Sequence, residues 1–294
     1  MNLTQQIVNA IWLGSVYSLF ALGYALVFSV LGVLNLAHSA VFTWGAFIAL
    51  TAVLSFSMPI PIAALIGMLG AGIISFLLEK IAFQPLRKRG APRISQLISS
   101  IGAAIFLVAL AERVFTTSVQ RFPLGSIPDD PIPGLPFSVT PIQVIVLVAA
   151  IGLMLLLQAL IQRTKLGMRM RAVAYNARTA SLLGVNVSRI YGITFFLAGA
   201  LAGAAGTLFG LAYNSMDPSM GEAIALKGLT VIVLGGLGNI KGAVLGGFIV
   251  AAIEVFSIAF LRSNFRDAIV YLLLFLILLV RPQGLIGQKE EVRA

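Results

Sequence analysis

Apolar residues run in long stretches along this chain, and polar positions are confined to the gaps between them. Nine apolar segments are read at about 7–30, 40–56, 60–80, 95–115, 141–162, 190–212, 224–237, 242–260 and 267–281. Most approach the roughly 20 residues that carry an α-helix across about 30 Å of hydrocarbon. In that layer a backbone satisfies its polar groups only by helical or closed-barrel pairing, and unbroken apolar runs select the helix. The seventh segment, "AIALKGLTVIVLGG", is short and glycine-rich, so it reads either as a half-helix or as a full span. The expected fold is all-α: a polytopic transmembrane helical bundle of eight or nine membrane segments, with residues 1–294 as a single domain.

Composition sharpens this reading. With 59% hydrophobic and 10% charged residues and a mean hydropathy of +1.02, the chain exceeds what one soluble core of its size hides. A net charge of +10 on a soluble protein would point to nucleic acid. Here the positive-inside bias accounts for it, and no nucleic-acid partner is expected. Lys80, Arg87, Lys88, Arg89, Arg93, the six basic residues from Arg163 to Arg189, Lys241, Arg281, Lys289 and Arg293 fall on one side. Arg113, Arg121, Lys227, Arg262 and Arg266 fall at or near the other. That asymmetry puts the N-terminus outside and the C-terminus inside. The opening "MNLTQQIVNA" lacks a basic n-region and no small-residue cleavage site follows, so it reads as a first helix and not a signal peptide.

The longest outer connection, residues 116–139, carries Pro123, Pro128, Pro131, Pro133 and Pro136 and reads as a stiff extended loop. Catalytic signatures are missing: there is no H-E-x-x-H, no G-x-S-x-G, no Walker A loop, no cysteine, and His38 is the lone histidine. No enzyme activity, cofactor or metal site is expected. Few ionisable groups lie inside apolar runs. Lys227 and Glu254 do, at depths estimated to differ by roughly 5 Å at 1.5 Å per helical residue. An ion pair between them lowers the cost of burying either charge. In two alternative readings Glu254 faces the aqueous path alone and meets the ammonium of a passing solute, or it is the proton or ion site of a secondary transporter or channel.

Gly199 with Gly203, and Gly206 with Gly210, stand four residues apart, spacing that lets helices pack backbone to backbone in lipid. Gly238, Gly242 and Gly246 form a second set around the polar break at Asn239–Lys241. Between Arg163 and Ile190 the chain carries six basic residues and no acidic one. A helix over about 168–183 would bring Arg171, Tyr175, Arg178 and Leu182 within an arc of about 60°. Met170, Ala174, Ala177 and Ser181 would then form a small-residue stripe. Leu183-Gly184 reads as its C-terminal stop, with Ser188 capping the next helix.

The stretches "GVLNLAHSAVFTWGAF", "ARTASLLGVNVSRIYGITFFLAGALAGAAGTLFG", "DPSMGEAIALKGL" and "GGLGNIKGAVLGG", in this order, resemble the branched-chain amino-acid ABC transporter permeases, in particular their shorter, LivH-type subunit. Ser39 departs from the glycine most often found after the Ala-His pair. The resemblance implies the permease of a bacterial inner-membrane importer for branched-chain or other hydrophobic/neutral amino acids, with urea and short amides as alternative cargo. It implies a second homologous permease subunit, two cytoplasmic ATP-binding subunits and a periplasmic amino-acid-binding protein as partners, besides membrane lipid. The basic segment 163–189 would hold the ATPase-coupling helix, with Arg171, Ala174, Tyr175, Ala177, Arg178 and Gly184 at the contact. A lipid-anchoring helix is the alternative. Asn35, His38, Ser39 and Glu254 are the candidates for the translocation path and its gate.

Overall fold

In a computed structural model, residues 3–123, 130–132, 138–260, 265–281 and 283–286 are described. Pro128, Pro133 and Pro136 of the outer loop, together with Arg262, Lys289 and Arg293, lie outside the described residues. All nine apolar segments are helical: α1 (Leu3–Leu31), α2 (His38–Phe56), α3 (Ile60–Leu78), α5 (Arg93–Phe115), α6 (Pro141–Arg163), α9 (Val187–Tyr213), α10 (Met220–Gly235), α11 (Ile240–Phe260) and α12 (Arg266–Val280). One π-helical turn, Glu79–Phe83, joins α3 to the short α4 (Gln84–Lys88), while α7 (Lys165–Tyr175) and α8 (Ala177–Leu182) bridge α6 and α9.

Seven of these helices are long and apolar enough to cross a membrane, α3 being counted through to Lys88. The other two are α10, with 16 residues, and α12, with 15. At 1.5 Å per residue they extend about 24 and 22 Å, short of a hydrocarbon layer of about 30 Å.

Helices α1 and α9 form the interior and are buried along most of their length, whereas α3, α5 and α6 expose apolar faces along theirs. Their glycines explain how such long helices come so close. A β-carbon on Gly199 would overlap the Ser75 side chain, one on Gly203 the Ala71 methyl, and one on Gly206 the Phe42 carbonyl. Gly45 of α2 meets the backbone of Gly203 directly. Gly210 instead faces Met216, in the turn that follows its own helix. In the hairpin of α10 and α11, Gly235 and Gly242 touch backbone to backbone and Gly246 faces the Val231 carbonyl. Gly238, at φ +78°, makes the turn between these two helices.

Contacts define two ends. At one, Gln5 pairs with Ser138, the Phe122 amide donates to Asn214 Oδ1 (2.8 Å), and Gln120 bridges Met216. At the other, Gln84 Nε2 donates to Ser188 Oγ (2.5 Å) and Leu285 N to the Leu234 carbonyl (2.7 Å). The described members of the large basic group gather at this second, basic end.

Candidate functional site

At the basic end the chain between α6 and α9 is not one helix over 168–183. It breaks at Asn176, whose backbone is extended (φ −157°, ψ 105°). The Asn176 side chain accepts from Thr179 N at 2.9 Å and so caps a new helix. Arg171, Ala174 and Tyr175 therefore stay on α7, while Ala177, Arg178 and Leu182 belong to α8. The expected arc and small-residue stripe do not form. Helix α7 buries Gly167, Met170 and Val173 against the bundle, and Arg171 donates Nη1 to the Ile161 carbonyl at the end of α6 (2.6 Å).

Helix α8 stops at Gly184, as its position suggests. Gly184 N donates to the Ser181 carbonyl and Val185 N to the Ala180 carbonyl, both at 3.0 Å, and Gly184 takes φ +83°. Asn186, not Ser188, caps α9, accepting from Arg189 N at 3.0 Å. The Ser188 hydroxyl is instead engaged by Gln84. At its C-terminal end α8 presents apolar side chains to solvent: Leu182 and the capping Leu183 are 82% and 80% exposed, beside the exposed polar residues Arg178, Thr179 and Ser181. In the sequence Leu183 signals only the helix stop. No periodicity flagged the pair, because two adjacent leucines in a six-residue helix fit either a buried or an exposed turn.

Asn35, His38 and Ser39 are all buried where α2 begins. Asn35 does not cap the helix. Ala37 holds the N-cap position without a side-chain bond, and neither polar atom of the Asn35 amide has a hydrogen-bond partner among the described residues. His38 lies between the rings of Tyr24 (4.6 Å) and Phe20 (5.0 Å), with Nε2 3.2 Å from the Phe20 carbonyl. Gly23 is the residue that makes room for the imidazole. Ser39 Oγ donates to the Leu36 carbonyl (3.1 Å), and the Ser39 carbonyl packs on Gly221 of α10. Leu36 N donates to Ser100 Oγ of α5 (3.1 Å). The turn before α2 is thus held by α1, α5 and α10 together.

Toward the opposite end, Lys227 Nζ lies 2.7 Å from Glu254 Oε1, with both side chains 5% exposed or less. The expected pair is present, and it belongs to a larger network. Tyr17 Oη donates to Glu254 Oε2 at 2.8 Å, Lys227 also reaches Asp267 at 3.4 Å, and Arg266 reaches Glu254 at 3.4 Å and Asp267 at 3.3 Å. Sequence reading did not find Tyr17, Arg266 and Asp267. Tyr17 sits in an apolar run and the other two at a helix start, so neither carries a local signal of partnership. A second buried carboxylate, Glu79 in the π-helical turn, pairs with Arg87, whose guanidinium lies 4.3 Å over the Tyr191 ring.

Long apolar helices joined through glycine contacts, interior charges neutralised in pairs and a basic segment folded outside the bundle describe a multi-pass α-helical membrane protein. The family model for the branched-chain amino acid transport system / permease component matches residues 6–279. The high-affinity branched-chain amino acid transport system permease protein LivH of Salmonella typhimurium is 33% identical, over 97% of this chain and 96% of its own length. LivH of Escherichia coli K12 and BraD of Pseudomonas aeruginosa are likewise 33% identical over 97% of this chain and 96% of theirs. The chain belongs to the branched-chain amino acid transport permease family.

Proposed function

We propose that this chain is the permease subunit of an ATP-driven importer that carries branched-chain or other hydrophobic/neutral amino acids across a bacterial inner membrane. The observation that carries the reading is the near full-length similarity to permeases bearing that description, joined to an exposed apolar tip at the basic end. In this reading α10 and α12 complete nine passes, with the N-terminus periplasmic and the basic end cytoplasmic. A second homologous permease and a periplasmic binding protein complete the machine, and ATP is hydrolysed by two separate cytoplasmic subunits. Helix α8 docks into an ATPase subunit through Leu182 and Leu183, with Ala177 and Arg178 beside them and Gly184 shaping the tip. Arg171, Ala174 and Tyr175 support α8 from α7.

The turn at Asn35 to Ser39 is the gate of this proposal. A buried amide with two unpaired atoms costs free energy, and a second arrangement of the turn that pairs them would recover it. Glu254 in this reading is structural, since a carboxylate already serving Lys227, Arg266 and Tyr17 has little left for a passing ammonium. Uptake of radiolabelled leucine into vesicles holding the assembled transporter should collapse on ATP depletion and survive an uncoupler. The opposite pattern identifies an ion-coupled carrier, and uptake of urea in place of leucine identifies the short-amide alternative.

A further inference from the structure

Between α6, α7 and the α10–α11 turn, the basic end holds a cavity of about 760 Å³. Its floor is apolar, from Leu26 and Val30 of α1 together with Met170. Its rim is polar, carrying Gln158, Gln162, Arg171 and Lys241, and among the described residues no carboxylate lines it. Arg171 is oriented by its bond to the Ile161 carbonyl, at the negative end of α6. The Lys241 ammonium has no ion-pair partner among the described residues. The volume lies within the roughly 300–1,000 Å³ of small-ligand sites. It suits a headgroup with the first carbons of its chains, and not a whole two-chain lipid.

We infer that this cavity binds the phosphodiester headgroup of an anionic membrane phospholipid, with Arg171 and Lys241 at the phosphate and the acyl chains leaving along the exposed apolar face of α6. Three features point to a lipid. The site lies where apolar helices end, so a lipid phosphate stands at its level while its chains stay in hydrocarbon. Two cations without a facing carboxylate select an anion, and basic pockets between helices at this interface take acidic headgroups. The apolar floor beneath the cations matches an amphiphile better than a free ion. The role of α7 thereby separates from that of α8: α7 lines a lipid site, and α8 carries the exposed leucines.

The test is native mass spectrometry of the full chain, purified in mild detergent with its co-purifying subunits, titrated with phosphatidylglycerol and with phosphatidylcholine. Wild type should retain phosphatidylglycerol in preference to phosphatidylcholine. Lys241→Gln should weaken that binding about fivefold, and Lys241→Gln with Arg171→Gln about thirtyfold. Lys88→Gln with Arg89→Gln, remote from the cavity, should leave it unchanged. Because Arg171 also ties α7 to α6, the single Lys241→Gln variant decides if the double variant fails to fold. Equal retention of the two lipids, or unchanged phosphatidylglycerol binding in Lys241→Gln, overturns the inference. So does binding that emerges only after residues 287–294 are deleted, which would make the chain's own acidic Glu290–Glu291 segment the occupant.

Discussion

Lys227 and Glu254 show how a residue's cost is set by its surroundings. A lone charge at such depth is expensive, and removing one partner of a buried pair costs up to about 3–5 kcal/mol, a cost that Arg266 beside Glu254 and Asp267 beside Lys227, each at 3.4 Å, reduce here. Lys227→Met and Glu254→Gln should each lower the amount of folded protein in the membrane. The double variant should recover much of it, since no unpaired charge then remains at 2.7 Å from an absent partner. A double variant as poorly folded as the sum of the singles would show that the two side chains do not couple. Asn35 is the converse case. Its side chain makes no hydrogen bond among the described residues, so Asn35→Ala should leave protein level intact while slowing transport severalfold if the turn before α2 is a gate. An unchanged uptake rate at unchanged protein level removes the gate.

At the scale of elements, the break at Asn176 decides what the basic segment does. A continuous helix would have spread Arg171, Tyr175, Arg178 and Leu182 along one face. The two-helix form projects Leu182 and Leu183 from the end of a six-residue helix closed by Gly184. Exposed leucines this close together gain by burial in a partner's groove, and an interface anchor of that kind is worth about 2 kcal/mol or more, close to a thirtyfold change in affinity. Leu182→Ser with Leu183→Ser should weaken ATPase association by about that factor in a pull-down, with the permease still present in the membrane. Undiminished association and substrate-stimulated hydrolysis would place the docking site elsewhere. Part of this segment is legible in the sequence, namely its charge and its Gly184 stop, whereas the small-residue stripe required a continuous helix that does not form. The break is not legible, because asparagine is tolerated inside a helix and caps one equally well.

For the whole molecule, the grouping of basic residues at one end is what supports the proposed orientation, with that end cytoplasmic. The chain has no cysteine, so single cysteines report it cleanly. Ser118 and Ser181 are both exposed, at opposite ends of the bundle. On intact spheroplasts, Ser118→Cys should react with an impermeant thiol reagent and Ser181→Cys should not. The reverse labelling inverts the topology.

Apolar run length, glycine spacing and charge placement determined the helical class, the nine helical segments and the pairing of Lys227 with Glu254. These are properties of one helix, or of two helices at matching depth, and the solvent enforces them position by position. Tertiary structure alone decided which glycines meet which partners, that Arg266, Asp267 and Tyr17 complete the ion pair, that Asn35 is buried unpaired, and that a cationic cavity opens beside α7. Each depends on how helices far apart in sequence cross. In lipid, close packing and the need to neutralise buried polar groups choose that crossing; glycine spacing marks where a helix can be approached closely, but not which helix approaches it.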